Sequence, residues 1–534
     1  MFCDSIVLSY ICRNNSNFMQ RKLLYVALSV VLLSVGWLGA GGFTLLAALV
    51  PLLYISQSYT DSKRDWWRMA GWASLTFALW NVATVWWVWI ATPIGPIAAT
   101  IISTFWNMVA FMLYHYVSKR APKSVAYTLL VAAWIATEFL YIRTEVLSFP
   151  WLVLGNGFSG STWAVQWYEY TGVLGGSLWV LLANIAIFEA LQHRTKPSAV
   201  RAGVVALLPG VVSLAIFWSY KPEDERVKIS VVQPNVDCYA EKFNNTADKQ
   251  LNNIVDLIDQ TPADTKIIVL PETSLPELVD DDEPQDAASV NALSQLLATK
   301  RPDAMIAAGA STIKYYDLGE KPSDPARQSM GSFYDIYNSA VAIGGDGEDI
   351  HHKMRLVVGV EAMPWWFQSL SELIDLGGVS GQLGRSDKAT VFEKGGVKAG
   401  PAICYEGLYG DWFARFVREG ADVMLVMSND GWWGNTPGHK RLFDFCRLRA
   451  IETRRAVARS ANTGVSGFIN SRGDVEQRLD WDERGVLSAD VELSQRTTAY
   501  VTYGDWLGRM GLLLTFLGVM YFTAYRIRRK NHLV

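Results

Sequence analysis

The sequence predicts a multi-pass α-helical membrane domain of about eight transmembrane helices joined to an α/β domain, and three observations carry that prediction. Half of the 534 residues are hydrophobic and only 19% are charged, with a mean hydropathy of +0.14, a balance that soluble globular chains of this size seldom show. Apolar runs, each near the roughly 20 residues needed to cross a bilayer as a helix, follow one another up to about residue 220 and return once near the end. Between them lies a polar stretch of roughly 280 residues, ample for one globular domain with its own core.

The apolar runs lie at 23–40, 42–57, 68–90, 95–117, 124–141, 172–192, 200–219 and 507–525. Short basic loops stay in the cytoplasm, and here every second connection is basic. Arg21 and Lys22 precede the first run, Lys63, Arg64 and Arg68 follow the second, Lys119, Arg120 and Lys123 the fourth, and Arg194, Lys196 and Arg201 the sixth. Arg526, Arg528, Arg529 and Lys530 follow the last. Both termini are therefore expected in the cytoplasm and the polar domain on the outer face. The division expected is 1–222 for seven helices, 223–500 for the outer domain and 501–534 for a last helix with a basic tail. The start shows no small-residue cleavage site, and Met19 just before Arg21 marks residues 1–18 as a dispensable extension.

Within the outer domain the apolar segments KISVVQ, KIIVLPE, GPAICYE and DVMLVMSN alternate with helical patterns such as DWFARFVREG and HKRLFDFCRLRAIETRRAV. Such alternation argues an α/β fold. The apolar segments are continuous, as in strands buried on both faces.

The formal net charge of −3 points to neither nucleic acid nor an acidic polymer. Five cysteines, Cys3, Cys12, Cys238, Cys404 and Cys446, contain no CxxC pair and offer neither a disulfide framework nor a zinc spacing. His351 and His352 are adjacent, so on a strand they face opposite ways. No metal and no cofactor are expected.

Three reactive side chains fall at ends of predicted strands: Glu272 in IIVLPET, Lys353 after His351-His352, and Cys404 in GPAICYEG. Strand ends are where α/β sheets present catalytic groups, yet a single such cysteine is more often a small core residue. Together they supply thiol-based acyl transfer: a carboxylate takes the thiol proton, sulfur attacks a carbonyl, and a cation holds the oxyanion. The Tyr405 amide, at the turn toward a helix near Asp411, is a candidate second oxyanion donor.

The order Glu, Lys, Cys in the contexts LPET, HHKMRLVVGVE and ICYEG resembles the nitrilase superfamily of carbon–nitrogen hydrolases. The resemblance implies a four-layer αββα sandwich and a Glu272-Lys353-Cys404 triad, with Glu361 as an additional acid that positions the lysine. The membrane half narrows the likeness to the apolipoprotein N-acyltransferase family. It rests on WIATEFLYIRTEVLSFPWLVLGN, with Trp134, Glu138, Arg143 and Phe149-Pro150-Trp151, on Cys404-Tyr405-Glu406, and on the SNDGWWG and ARSANTGVSGFI segments. It implies a bacterial inner-membrane enzyme with a periplasmic active site. Cys404 would take an acyl chain from a membrane phospholipid as a thioester and pass it to the α-amine of a diacylglyceryl-apolipoprotein, in a ping-pong exchange that ends lipoprotein maturation. A monomer is expected.

Two departures stand out: LVVGVEAMP replaces the family's proline and phenylalanine between the lysine and Glu361, and Phe243 stands where many members carry tryptophan. Phe243, Trp151, the Met363–Phe367 segment with Trp365, and Trp432 with Trp433 are lipid-contact candidates, although aromatics fill cores equally well. Glu138 is expected to pair with Arg143 one turn on. Cys446 falls on an arginine-rich helix expected to show a solvated face, and Cys238 is the second-choice thiol. The competing functions are a membrane-anchored amidase using the same triad, and a non-catalytic transporter or scaffold.

Overall fold

The computed structural model describes residues 2–39, 41–92, 94–144, 148–237, 246–317, 319, 321–329, 331–362 and 382–530, with side chains from residue 19 onward. Cys238, Phe243, Trp365 and the Met363–Phe367 segment lie outside the described residues.

Among the described residues, six helices are long and apolar enough to cross a membrane: Met19–Leu38, Gly95–Ser118, Lys123–Arg143, Val173–His193, Lys196–Ser219 and Trp506–Lys530. The count of eight is not reached by length and composition. The run at 42–57 folds as Leu45–Ala48 and Val50–Gln57, which at about 1.5 Å per residue is too short for a ~30 Å hydrocarbon layer. The run at 68–90 becomes Lys63–Val85, whose first turns carry Lys63, Arg64, Asp65 and Arg68.

Local chemistry sets these ends. Ser62 caps Lys63–Val85 by accepting from the Asp65 amide at 3.1 Å, and Thr195 with Ser198 forms a capping box at the start of Lys196–Ser219. Helix Lys123–Arg143 packs between Gly95–Ser118 and Trp506–Lys530. Glycines on the last helix let the backbones approach, since a Cβ at Gly508 would stand 2.3 Å from the Phe139 ring and one at Gly518 2.6 Å from Leu129.

The outer domain is a sandwich of two sheets. The first runs in the order Gly485–Glu492, Arg226–Gln233, Ile267–Val269, Met305–Tyr316, Ser332–Ile343, Arg327–Ser329, with Leu278–Asp280 and Ile350–His352 joined at its margins. The second runs Val475–Leu479, Ser466–Ile469, Val457–Ala461, Val423–Ser428, Val397–Ile403, Phe392–Lys394. Alternation along the strands divides two cores. Ile268, Leu270, Ile306 and Ala308 pack with Ile254, Leu257, Leu293 and Leu297 of the outer helices, whereas Ile267, Val269, Met305 and Ala307 join the layer shared with the second sheet.

Helix Pro437–Thr453, expected to be solvated, is instead wedged between the second sheet and the membrane domain. Arg449 and Arg454 are fully buried and Arg455 nearly so. Arg449 pairs with Glu452 one turn on in its own helix and donates to the Leu408 carbonyl, Arg454 reaches across the junction to Glu169 and Gln166, and Arg455 donates to the Ala421 and Arg496 carbonyls. Arginine suits such a place because its planar fork saturates several acceptors at once. Glu452 also accepts from the Val173 amide at 3.0 Å, fixing the start of a membrane helix to the outer domain.

The Glu138–Arg143 pair does not form. Glu138 instead accepts from the Trp134 indole at 3.1 Å and the Leu154 amide at 2.9 Å, anchoring the 3₁₀ turns between Pro150 and Ala164. Arg143 faces outward to Asp411 at 2.8 Å and Asp505 at 3.5 Å. Glu138 thus pairs with Trp134 one turn back and with the Leu154 amide, while Arg143 finds Asp411, 268 residues away, which helical spacing could not supply.

Candidate active site

Glu272, Lys353 and Cys404 each follow a strand, and the two sheets bring those strand ends together. Strand Val397–Ile403 runs parallel to Val423–Ser428 and ends at Cys404, whose φ of 46° lies in the left-handed region. A side-chain-bearing residue pays about 1 kcal/mol or more to sit there. The sharp turn lifts Cys404 out of the strand line and starts the 3₁₀ turn Cys404–Leu408. Thr273, immediately after Glu272, is held in the same region at φ 47°.

The Lys353 ammonium is fully buried and bonds Glu272 Oε1 and Glu361 Oε1, each at 2.9 Å. Asn338 Nδ2 donates to the same two oxygens at 2.8 and 2.7 Å. The other oxygens accept from the backbone, Glu272 Oε2 from the Asn429 amide at 3.0 Å and Glu361 Oε2 from Val357 at 2.7 Å. Burial alone would lower the lysine, but Glu272 and Glu361 outweigh it and hold its pKa above the ordinary range. One cation thus faces two carboxylates, leaving a local surplus of negative charge.

Cys404 lies against this cluster. Burial first, then the Glu272 carboxylate, pushes its thiol well above the usual range, while Lys353 and a hydrogen-bond contact with Ser428 pull the other way. The resting sulfur is therefore protonated, and a thiolate forms only if a neighbouring base takes the proton. Ser428 is itself held by Asp430 at 2.6 Å, and Asp430 by a bidentate ion pair with Arg459 at 3.0 and 2.9 Å.

Glu406 ties the lysine and cysteine segments together. Its carboxylate accepts from the Met354 amide at 2.7 Å and the Ile403 amide at 2.6 Å, the residues just after Lys353 and just before Cys404. His351 Nε2 stands 3.5 Å from Glu406 Oε2, whereas His352 Nε2 turns to Asp281 at 2.9 Å. The two histidines thus serve opposite faces. Tyr405 buries its ring beside Tyr409 and reaches the Ser148 carbonyl at 3.3 Å.

Gly309 explains how Glu272 is seated. Its carbonyl accepts from the Ser274 and Leu275 amides at 2.7 and 3.1 Å, and a Cβ there would stand 2.4 Å from the Pro271 oxygen and 2.6 Å from the Glu272 Cα. Only glycine allows that approach.

Trp151 is buried in an aromatic cluster, with ring centroids 4.8 Å from Trp87, 5.6 Å from Trp433 and 5.5 Å from Phe445. The cluster joins the membrane bundle to the outer domain, so Trp151 serves the junction in this structure. Trp432 is partly buried in the turn Asp430–Trp433. Cys446 is buried, its sulfur against the Leu442 carbonyl. Among the described residues no group of three or more His, Cys, Asp or Glu side chains is arranged to hold a metal.

Asn338, Ser428, Asp430 and Arg459 were not singled out from sequence. Ser428, Asp430 and Arg459 fall within segments that carried the family resemblance, but their roles need the fold. Asn338 lies in a strand, YNSAVAI, with no motif around it.

A carbon–nitrogen hydrolase family model matches residues 228–500, and the chain belongs to that family of enzymes. A model described as the apolipoprotein N-acyltransferase N-terminal domain matches residues 24–186. The apolipoprotein N-acyltransferase of Chlorobaculum tepidum is 28% identical over 86% of this chain and 87% of its own length. That of Bordetella bronchiseptica is 30% identical over 72% of this chain and 71% of its own. A Saccharomyces cerevisiae member of the nitrilase superfamily aligns over 51% of this chain and 92% of its own, at 20% identity and a TM-score of 0.36. Within the hydrolase family, the chain is a member of the apolipoprotein N-acyltransferases.

Proposed function

We propose that the enzyme N-acylates the diacylglyceryl-cysteine of apolipoproteins with an acyl chain from a membrane phospholipid, through a thioester on Cys404. The observation that carries this reading is Cys404, held at a φ of 46° beside a buried Lys353 between two carboxylates.

Glu272 accepts the thiol proton as sulfur attacks the phospholipid ester carbonyl, forming the C–S bond. The oxyanion is held by the Lys353 ammonium and the Tyr405 amide. Collapse breaks the ester C–O bond, and the leaving lysophospholipid oxygen takes the proton back from Glu272. The lipoprotein α-amine then attacks the thioester, gives its proton to Glu272 and becomes the amide, and the departing sulfur is reprotonated. Glu361 and Asn338 keep Lys353 aimed, and Glu406 keeps its strand in register with Cys404.

The alternating basic connections support a reading with the outer domain, 223–500, in the periplasm, both termini in the cytoplasm, and 1–222 and 501–534 as membrane-anchoring parts. Both substrates are lipid-anchored, which accords with a site joined directly to a helix bundle. Mass spectrometry of the protein after exposure to phospholipid tests the reading. A hydroxylamine-labile acyl mass on the Cys404 peptide, absent in Cys404→Ser, is expected. Active enzyme without that adduct would contradict it.

A further inference from the structure

At the end of the helix bundle remote from the outer domain, a groove of about 620 Å³ opens between helices Lys63–Val85 and Gly95–Ser118. Its remoteness follows from helix length. Beyond Val85 the chain reaches Trp87, which packs on Gly438 and Trp433 of the outer domain, and the 23 residues from Lys63 to Val85 span about 34 Å. That distance is close to the thickness of a hydrocarbon core. The groove mouth therefore lies about one hydrocarbon thickness from the junction with the outer domain.

Lys63 and Arg120 stand at the rim, Trp66, Trp67 and Tyr116 form the walls, and Met112 and Leu113 the floor. The surrounding charge is strongly positive. Arg120 lies over the Tyr116 ring at 3.8 Å, and Arg526 of the last helix donates to the Tyr116 hydroxyl at 2.6 Å. Two carboxylates are near, and both are engaged: Asp61 with Arg120, and Asp65 with Arg68 and the Thr60 hydroxyl. Among the described residues, the Lys63 ammonium meets no carboxylate.

From the rim, two exposed apolar rows run toward the membrane centre. One is Trp67, Leu75 and Leu79, and the other Val109, Phe105 and Ile101. Along Gly95–Ser118 these residues recur every four positions and so form one stripe, whereas along Lys63–Val85 Leu75 lies about 80° and Leu79 about 120° around the axis from Trp67. Cations and tryptophans at the interface above parallel apolar rows match an anionic phosphodiester headgroup with two acyl chains beneath it. A soluble anion would leave the apolar rows unused, and a zwitterionic lipid would bring its own cation to an already positive rim.

We propose that this groove binds one anionic phospholipid, of the phosphatidylglycerol kind, in the leaflet opposite the outer domain. The site is separate from acyl transfer and stands or falls independently of it. The test is native mass spectrometry of the full-length protein in the Cys404→Ala background, with dioleoylphosphatidylglycerol or dioleoylphosphatidylcholine added. The double variant Lys63→Gln/Arg120→Gln and the groove-filling Val109→Trp are measured beside it.

The expected result is one phosphatidylglycerol fewer retained in either variant, with affinity falling about fivefold per charge removed and no comparable change for phosphatidylcholine. Phosphatidylglycerol should also raise the melting temperature of the parent protein and not of the double variant. Equal retention of the two lipids by the parent would mean annular lipid only. Undiminished phosphatidylglycerol binding by both variants, or the same stabilisation by glycerol 3-phosphate alone, would likewise overturn the proposal. Val109→Trp keeps every charge, so it decides the matter if the double variant fails to fold.

Discussion

Two buried charge clusters sit in this molecule, and they are built on opposite plans. Around Lys353 one cation faces two carboxylates, Glu272 and Glu361, beside a cysteine in a left-handed turn. At the junction between the domains, the charges approach balance: buried Arg449 meets Glu452 and Arg454 meets Glu169, and toward the surface the more exposed Arg143 and Arg418 meet Asp411 and Asp505. The balanced cluster ties the outer domain to the bundle, as Glu452 does on the Val173 amide. In the proposed mechanism, the unbalanced one keeps Glu272 as a proton acceptor beside the Cys404 thiol. Burial of charge alone therefore does not mark a reactive site. In the proposed mechanism, surplus charge of one sign next to a strained cysteine does.

The largest effect that would sharpen this contrast is at the lysine. Lys353→Met should abolish acyl transfer, by about 10³-fold or more. It should also cost about 3 kcal/mol of stability, because two carboxylates are left facing each other. Both effects are read from activity and chemical unfolding of the same preparation, and a variant that stays active would break the distinction. At the junction, Arg449→Met should cost a similar ~3 kcal/mol while turnover per folded molecule remains near that of the parent. Loss of turnover without loss of stability would put the junction in the chemistry.

Gly309→Ala should act in the reverse sense. The added methyl pushes on the Pro271 oxygen and the Glu272 Cα, so activity should fall about 10²-fold, on the scale of a misplaced general base, with only a small shift in melting temperature. Unchanged activity would mean that the Glu272 turn yields freely.

The smallest effect concerns pH. Burial, with Asp505 adding to it and Arg449 opposing, raises Glu452 from 4.5 to about 7. A carboxyl raised in the folded state binds its proton more tightly there than in the unfolded chain. Its contribution is complete below about pH 4.5 and lost as pH rises through about 7. Glu452→Gln should therefore flatten that part of the stability profile, measured by unfolding at fixed ionic strength. An unchanged slope would assign the dependence elsewhere.

Much of this was legible in the sequence, for identifiable reasons. Apolar runs mark membrane helices because the bilayer demands length and composition, and Glu272, Lys353 and Cys404 stood out because each falls at the end of a strand. The count of spans was less secure, since 42–57 divides into two short helices and Lys63–Val85 begins with charge. Polar partnerships were harder still. Glu138 and Arg143 lie a turn apart, yet one binds the Leu154 amide and the other Asp411, 268 residues away. The arginines around helix Pro437–Thr453 read as solvated because nothing local reveals that a membrane domain will cover them. Asn338, which bonds both carboxylates, is one asparagine in a strand until the sheets assemble.

The measurement that bears most directly on the central claim is the time course of lysophospholipid release when enzyme and phospholipid are mixed without any lipoprotein acceptor. A rapid burst of one lysophospholipid per Cys404, followed by a stall that an added acceptor relieves, is the result expected of a covalent acyl-enzyme. Release that begins only once acceptor is present, with no burst at any enzyme concentration, would contradict it.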